Sequence, residues 1–368
     1  MDIVCVSHLQ WDFVFQRPQH LLTRAAKNGR VFYIEEPRFG DGPPSLEVQK
    51  RENGLHVAMP QLPHHLSADE RATLQAEMVT QCLDAHGVRE YVLWYYTPMA
   101  LKFTQHLAPI AVVYDCMDEL SAFAGAPPEL TALERRLFEI ADVVFTGGHS
   151  LYEAKRAAHP NVHAFPSSVD VAHFARERCA SIEPADQAAI PRPRIGFFGV
   201  IDERMDYELL QGVAASRPDW HLVLIGPTAK IDPATLPAAA NLHFLGRRPY
   251  AALPDYIAGW DVAMLPFARN EATRFISPTK TPEYLAAGKP VVSTSIRDVV
   301  RPYGEYGLAR IADTPDDFVA AIEAALTENR GERQRAADAF LAALSWDRTW
   351  NDMRQLVVEA ADRRMTRV

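Results

Sequence analysis

Short apolar runs alternate with longer amphipathic stretches along most of the chain. "DIVCVS", "RVFYIEE", "LHVAMP", "YVLWYY", "AVVYDC" and "DVVFTG" are rich in β-branched and aromatic residues and predict strands within residues 1–147. Between several of them apolar residues recur at helical spacing, as in "DERATLQAEMVTQCLDAHG" and "ELTALERRLFEIA". A second series follows a polar, proline-containing stretch at 176–193: "RIGFFGV", "WHLVLIG", "NLHFLG", "DVAMLP" and "PVVSTS". Apolar strands alternating with helices imply parallel sheets covered on both faces. The pattern predicts an α/β protein with two doubly wound domains, one over residues 1–175 and one over 190–345. The last helical stretch, from residue 346 to 368, carries the aromatic anchors of "SWDRTW" and is expected to cross back to the first domain.

One segment departs from simple amphipathicity. In "SPTKTPEYLAAGKPVVST", residues 277–294, Pro282 disfavours the α conformation at Thr281, so a helix is expected to begin with Thr281 as N-cap and Pro282 at the first position. Gly288 ends it and a short strand follows. Free N–H groups and a partial positive charge suit phosphate at such a start, and Lys280 strengthens them. Glu283 cannot hold phosphate, but a carboxylate there can accept hydrogen bonds from sugar hydroxyls. The bland alternative is that Glu283 merely complements the helix dipole and pairs with Lys280, worth about 0.2–1 kcal/mol.

Composition narrows the function classes. The chain has 368 residues, 48% hydrophobic and 23% charged, and a net charge of −9, which argues against bulk nucleic-acid binding. Its four cysteines, Cys5, Cys82, Cys116 and Cys179, are widely spaced and read as reduced thiols. "MDIVCVSH" is no signal peptide, and no apolar run approaches the ~20 residues of a membrane span. The expectation is a cytoplasmic protein, at most peripheral at the inner membrane face through local positive charge in "RAAKNGR" and "QKRENG". No strand leads into G-x-G-x-x-G, "GGHSL" lacks the second glycine of a nucleophile elbow, and no His/Asp/Glu spacing calls for a metal or other cofactor.

Ligands of open α/β sheets bind beyond the carboxyl ends of the strands. The post-strand loops of the second series carry Arg204, Lys230, Arg247, Arg248, Arg269, Arg274 and Lys280, a set that fits a diphosphate, although Lys230 and Arg269 read as solvated. Those of the first series carry His8, Trp11, Asp12, Arg17, Asp115, Asp118 and His149. Asp118, in "YDCMDELSAF", is the best-placed carboxylate to polarise an acceptor hydroxyl, its alternative being a turn or cap residue.

These residues carry a family resemblance. "RIGFFGVIDERMD", "WHLVLIGP", "NLHFLGRRPYAALPDYIAGWDVAMLPF" and "SPTKTPEYLAAGKPVVST" stand in the order seen in GT-B glycosyltransferases of the family-4-like, group 1 type. "FVFQRPQHLL", "ADVVFTGGHSLYEAKRAAHPNVHAFPSSVDVAHF" and "SWDRTW" extend the resemblance towards the teichuronic-acid-type polysaccharide branch. It implies two Rossmann-like domains facing across a cleft, the first for the acceptor and the second for a nucleotide-sugar donor. By it, Glu283 matches the glutamate that holds the ribose hydroxyls, while Arg204 and Lys280 lie at the diphosphate and Gly199 lets the loop approach it. Arg247 and Arg248 fall where the base is read, and Arg274, Ser277, Thr279 and Thr281 complete the donor side. His8, Trp11, Asp12, Arg17 and His149 fall on the acceptor side.

The implied reaction is metal-independent transfer, with retention, from a UDP-linked sugar to a saccharide or lipid-linked acceptor. Asp118, Arg204 and Lys280 are its catalytic candidates. One position departs from the pattern: Phe275 stands eight residues before Glu283, where the family often has a first glutamate, and Glu271 is out of register. A nucleotide-sugar epimerase of the same architecture and a non-catalytic nucleotide-sugar binding protein are the alternatives.

Overall fold

The computed structural model describes residues 1–175 and 183–366. The chain divides into two compact units, Met1–Pro166 with Trp346–Val368, and Ser167–Ser345. The first holds β1 (Asp2–Val6), β2 (Val31–Ile34), β3 (Arg38–Gly40), β4 (Ser45–Lys50), β5 (Leu55–Pro63), β6 (Tyr91–Tyr95), β7 (Ala111–Cys116), β8 (Val143–Thr146) and β9 (Val162–Ala164). Their order is β3-β5-β2-β1-β6-β7-β8-β9, with β4 antiparallel to β5 and the other pairings parallel. The central strands are buried along their whole length, which explains their near-continuous apolar sequences. β3, β4 and β9 lack that signature, because β3 is exposed throughout, β4 alternates polar residues and β9 is three residues long.

The second unit holds β10 (Arg194–Phe198), β11 (His221–Ile225), β12 (Leu242–Gly246), β13 (Val262–Leu265), β14 (Val291–Ser293) and β15 (Ala309–Ile311). They form one parallel sheet in the order β12-β11-β10-β13-β14-β15. The order reverses direction beside β10, so the loop after β10 lies at the point where such sheets take ligands.

The unit boundary falls earlier than the composition implies. Val169 and Phe174 are buried in the core of the second unit, and the short Val171–Ala175 helix packs against the Lys280–Ala286 helix. The polar stretch behind it is no plain linker either. Gln187 is fully buried, donates to the Tyr256 carbonyl at 2.9 Å and accepts from Trp260 Nε1 at 2.9 Å. Residues 176–182 of that stretch, with Cys179, lie outside the described residues. Cys5, Cys82 and Cys116 are free and buried.

The C-terminal helix, Trp346–Met365, belongs to the first unit. It buries Trp346, Trp350, Met353, Val357, Ala360 and Ala361, a spacing of three and four that lines one face. Trp346 stacks on His20 with ring centroids 4.5 Å apart, and Arg24 pairs with Asp347 at 2.8 Å. Among the described residues, no helix is long and apolar enough to cross a membrane.

Candidate functional site

Three neighbouring strands of the second unit run out onto glycine: Gly199 and Gly226 directly follow β10 and β11, and Gly246 is the last residue of β12. Backbone hydrogen bonds link the three ends: Gly199 N donates to Ile225 O at 2.8 Å and Gly226 N to Gly246 O at 3.0 Å. Gly199 has φ +149° and Gly226 φ +152°, a region that side chains rarely enter. At Gly226 the backbone leaves no space for a side chain either, and at Gly199 one would displace Lys280. A Cβ on Gly226 would lie 1.7 Å from Gly199 O, and one on Gly199 would lie 2.2 Å from Lys280 Cε. The strand ends are therefore packed backbone to backbone, with the Lys280 side chain laid across Gly199 and its Nζ 5.6 Å from the centre of the Phe197 ring.

The loop after β10 is held from both sides. Ile201 bridges to Thr228 and Met205 to Phe267, and Asp206 caps the next helix by accepting from Leu209 N at 2.8 Å. Within it, Arg204 donates from Nε to both oxygens of Asp202, at 3.0 and 3.1 Å, and from Nη2 at 2.7 Å. Asp202 is buried, so it fixes the direction of the Arg204 guanidinium. The neighbouring Glu203 has a buried Oε2 without a hydrogen-bond partner. Sequence reasoning passed over both carboxylates, although the acidic-acidic-basic triplet directly after "FFGVI" is a usable signal.

The helix at the opening of the "KTPEYLAAG" motif runs Lys280–Ala286, with Thr279 at the N-cap and no side-chain cap. It begins earlier than the proline implies, and Pro282 occupies its first turn. Proline is tolerated there because the first backbone N–H groups of a helix have no internal acceptor. Tyr284 anchors the helix to the sheet by accepting from Phe198 N at 3.0 Å, and Gly288, with φ +77°, ends it.

Two buried side-chain atoms in that first turn are left over. Glu283 is 4% exposed and its Oε2 has no partner; Thr281 is 0% exposed and its Oγ1 has none. Loss of water pushes the Glu283 carboxyl up to about 8, with the Lys280 ammonium pulling the other way. A buried polar atom without a partner is uncommon and costs on the order of 1–3 kcal/mol, so such an atom at a sheet's ligand-binding end marks a place for a ligand.

The other donor-side candidates are placed differently. Arg248 donates to Tyr256 Oη at 2.7 Å and pairs with Asp186, so its charge serves the packing of the second unit. Arg274 is exposed, 3.4 Å from Glu271 and over the Phe275 ring at 5.1 Å. Arg247 is exposed, and the Ser277 carbonyl accepts from Ser167 Oγ at 3.4 Å. Arg269 pairs with Asp313 at 3.2 Å. The structure thus brings Gly199, Lys280, Thr281 and Glu283 together at one sheet end, with Arg204 on the adjoining loop.

In the first unit the clearest correction is Arg17. It is 2% exposed, 2.9 Å from Asp115, which is 0% exposed, and it donates to Phe165 O at 2.7 Å. Burial raises the Asp115 carboxyl, and the Arg17 charge, with its hydrogen bonds, holds it back. Arg17 and Asp115 are committed to each other and leave the set of acceptor contacts. Asp12 reaches outward to Arg51 at 2.5 Å, while Trp11 is pinned through its backbone N to Glu35 at 2.7 Å. His149 is exposed at the first position of the His149–Lys155 helix, and His8 and Asp118 are partly buried in the loops after β1 and β7.

Two Rossmann-like sheets, parallel throughout except for β4, place the fold in the GT-B class. Residues 192–328 match the family described as glycosyl transferases group 1. A curated relative from Bacillus subtilis (strain 168), named for teichuronic acid biosynthesis as the glycosyltransferase TuaH, is 26% identical over 260 residues. The match covers 65% of this chain and 64% of that protein, a little under two thirds of its length. Among solved structures, a sucrose-phosphate synthase from Thermosynechococcus elongatus gives a TM-score of 0.75 at 14% identity, covering 97% of this chain and 98% of that one. An E. coli trehalose-6-phosphate structure bound with UDP-2-fluoro glucose gives 0.69 at 14% identity, covering 98% and 99%. A UDP-forming α,α-trehalose-phosphate synthase from Burkholderia xenovorans in complex with glucose-6-phosphate gives 0.69 at 14%, covering 97% and 99%. These structural likenesses speak to the fold.

Proposed function

We propose that this chain transfers a sugar from a UDP-linked donor to a saccharide or lipid-linked acceptor in cell-surface polysaccharide assembly. The observation that carries the reading is the buried, partnerless Oε2 of Glu283, beside Lys280 and the bare backbone of Gly199. Ribose hydroxyls supply the hydrogen bonds that Glu283 lacks. The diphosphate lies over Gly199, where no side chain stands between it and the strand ends, and meets Lys280 and Arg204. As the glycosidic bond breaks, charge grows on the leaving diphosphate and these two cations stabilise it without a metal ion. In a retaining transfer the acceptor oxygen approaches the face the diphosphate leaves, and the leaving phosphate takes its proton. Asp118 then orients the acceptor. The relative named for teichuronic acid biosynthesis supports the polysaccharide role, and the UDP-2-fluoro glucose and UDP-forming neighbours support the choice of uracil base. The enzyme works on the cytoplasmic side, in peripheral contact with the membrane where its acceptor is lipid-linked.

A thermal-shift panel of UDP, GDP, ADP, uridine and their sugars tests the donor, because a ligand that binds only the folded state raises the melting temperature. UDP and a UDP-sugar are expected to raise it and uridine to raise it least. A panel in which no nucleoside diphosphate shifts the melting temperature contradicts the reading. Incubating the stabilising UDP-sugar alone separates the alternatives, since an epimerase isomerises it without an acceptor.

A further inference from the structure

Lys155, at the end of the His149–Lys155 helix, reaches back to the loop that carries Asp118. Its Nζ lies 2.7 Å from Glu119 Oε2 and 2.7 Å from Glu134 Oε2, and the three side chains are only 13%, 14% and 9% exposed. Neither carboxylate is incidental. Glu134 also accepts from Tyr114 Oη at 2.8 Å and Cys116 Sγ at 3.8 Å, and Glu119 Oε1 accepts from Ser121 Oγ at 2.6 Å. A single ammonium thus joins the end of one helix, the middle of the Leu130–Ile140 helix and the first residues after β7.

A second contact ties the same two loops. A Cβ on Gly147 would lie 2.2 Å from Met117 O, so the turn before His149 is packed directly on the backbone beside Asp118. Gly147 N also donates to Cys116 O at 2.9 Å, and Cys116 Sγ lies 3.7 Å from the Asp118 carbonyl. We propose that Lys155 is a positioning residue, clamping the 117–123 loop and its Asp118 to the helix that His149 opens. What the clamp serves rests on the acceptor-side reading above; the clamp itself does not. By fixing both loops with one buried charge, it presents Asp118 and His149 as a single preformed wall rather than as two independent loops.

Cys116 is a built-in reporter. It is 1% exposed, burial holds its thiol well above the ordinary range, and it reacts only when the loop opens. The test is iodoacetamide labelling of the native full-length protein, resolved by peptide mapping, in wild type, Glu119→Ala, Lys155→Arg and Lys155→Met. Glu119→Ala cuts the loop tie but leaves Lys155 neutralised by Glu134, so the fold is retained. Its Cys116 labelling is expected to rise about tenfold or more, with Cys5 and Cys82 labelling and the melting temperature little changed. Lys155→Arg is expected to keep Cys116 protected, since a guanidinium can bridge both carboxylates, and Lys155→Met to lose protection. Unchanged Cys116 labelling in Glu119→Ala overturns the proposal. So does a parallel rise at the three buried thiols, Cys5, Cys82 and Cys116, in Lys155→Arg and Lys155→Met alike, which marks a general loss of stability. Calorimetry with UDP on the same samples keeps the two readings apart, because a wild type that binds no UDP defeats the donor assignment and leaves the labelling result unaffected.

Discussion

Asp115 in the first unit and Glu283 in the second are both buried carboxylates at the carboxyl end of a parallel sheet. Asp115 is 0% exposed and answered by Arg17, which donates from Nε to both carboxylate oxygens at 3.1 Å and lies 2.9 Å away through Nη2. Glu283 is 4% exposed, and its Oε2 is answered by nothing within the protein. A buried charge that is internally satisfied belongs to the architecture. One left desolvated and unsatisfied is held at a cost in stability that a ligand can remove, and such groups cluster at functional sites.

The contrast is sharpest in what removal does. Asp115→Ala strands the Arg17 guanidinium in a dry interior and is expected to lower stability by about 3–5 kcal/mol, read as a reduced denaturation midpoint. A loss below about 1 kcal/mol would place Asp115 outside the structural class.

Next is the pH dependence of Glu283. Its folded carboxyl titrates at about 8, above the ordinary value of 4.5, so between these the folded protein holds a proton the unfolded chain has released. Its contribution to stability is therefore complete below about 4.5 and drains away as pH rises to about 8. Denaturant melts of wild type minus those of Glu283→Gln should show this fall, no steeper than about 1.4 kcal/mol per pH unit. A difference that is flat with pH contradicts the desolvated state.

Arg204→Ala should weaken UDP about tenfold while leaving uridine unchanged, because only the former carries phosphates. Equal losses for both would move Arg204 away from the diphosphate. Smallest of all is Arg274→Ala, expected to change both stability and UDP affinity by less than about 0.5 kcal/mol, as for an exposed residue paired only with a neighbour.

Much of this is legible in the sequence. The apolar strands, the second sheet's glycine-ended strands and the "KTPEYLAAG" motif follow from local patterning, and the motif order carries the family. What stays hidden depends on partners distant in the chain. Arg17 and Asp115 are 98 residues apart, so nothing local marks them as a pair rather than as two ligand contacts. Arg248 reads as available in the sequence, yet Asp186, 62 residues earlier, holds it. The unit boundary shifts for the same reason: Phe174 belongs to whichever core receives its ring, and spacing alone does not say which. Lys155 gives no signal because its two carboxylates come from separate elements.

The measurement that bears most directly on the central claim is calorimetric titration of wild type and Glu283→Gln with UDP, alongside their melting temperatures, both above about pH 8, where the Glu283 carboxyl is ionised. The amide keeps the size and shape of the carboxylate but weakens a charge-assisted hydrogen bond worth roughly 1.5–3 kcal/mol. Affinity for UDP is expected to fall about tenfold or more, with the melting temperature equal to or above that of wild type, because a buried amide is easier to desolvate than a carboxylate. Unchanged UDP affinity with a lowered melting temperature would make Glu283 a structural helix-start residue and contradict its assignment to the donor ribose.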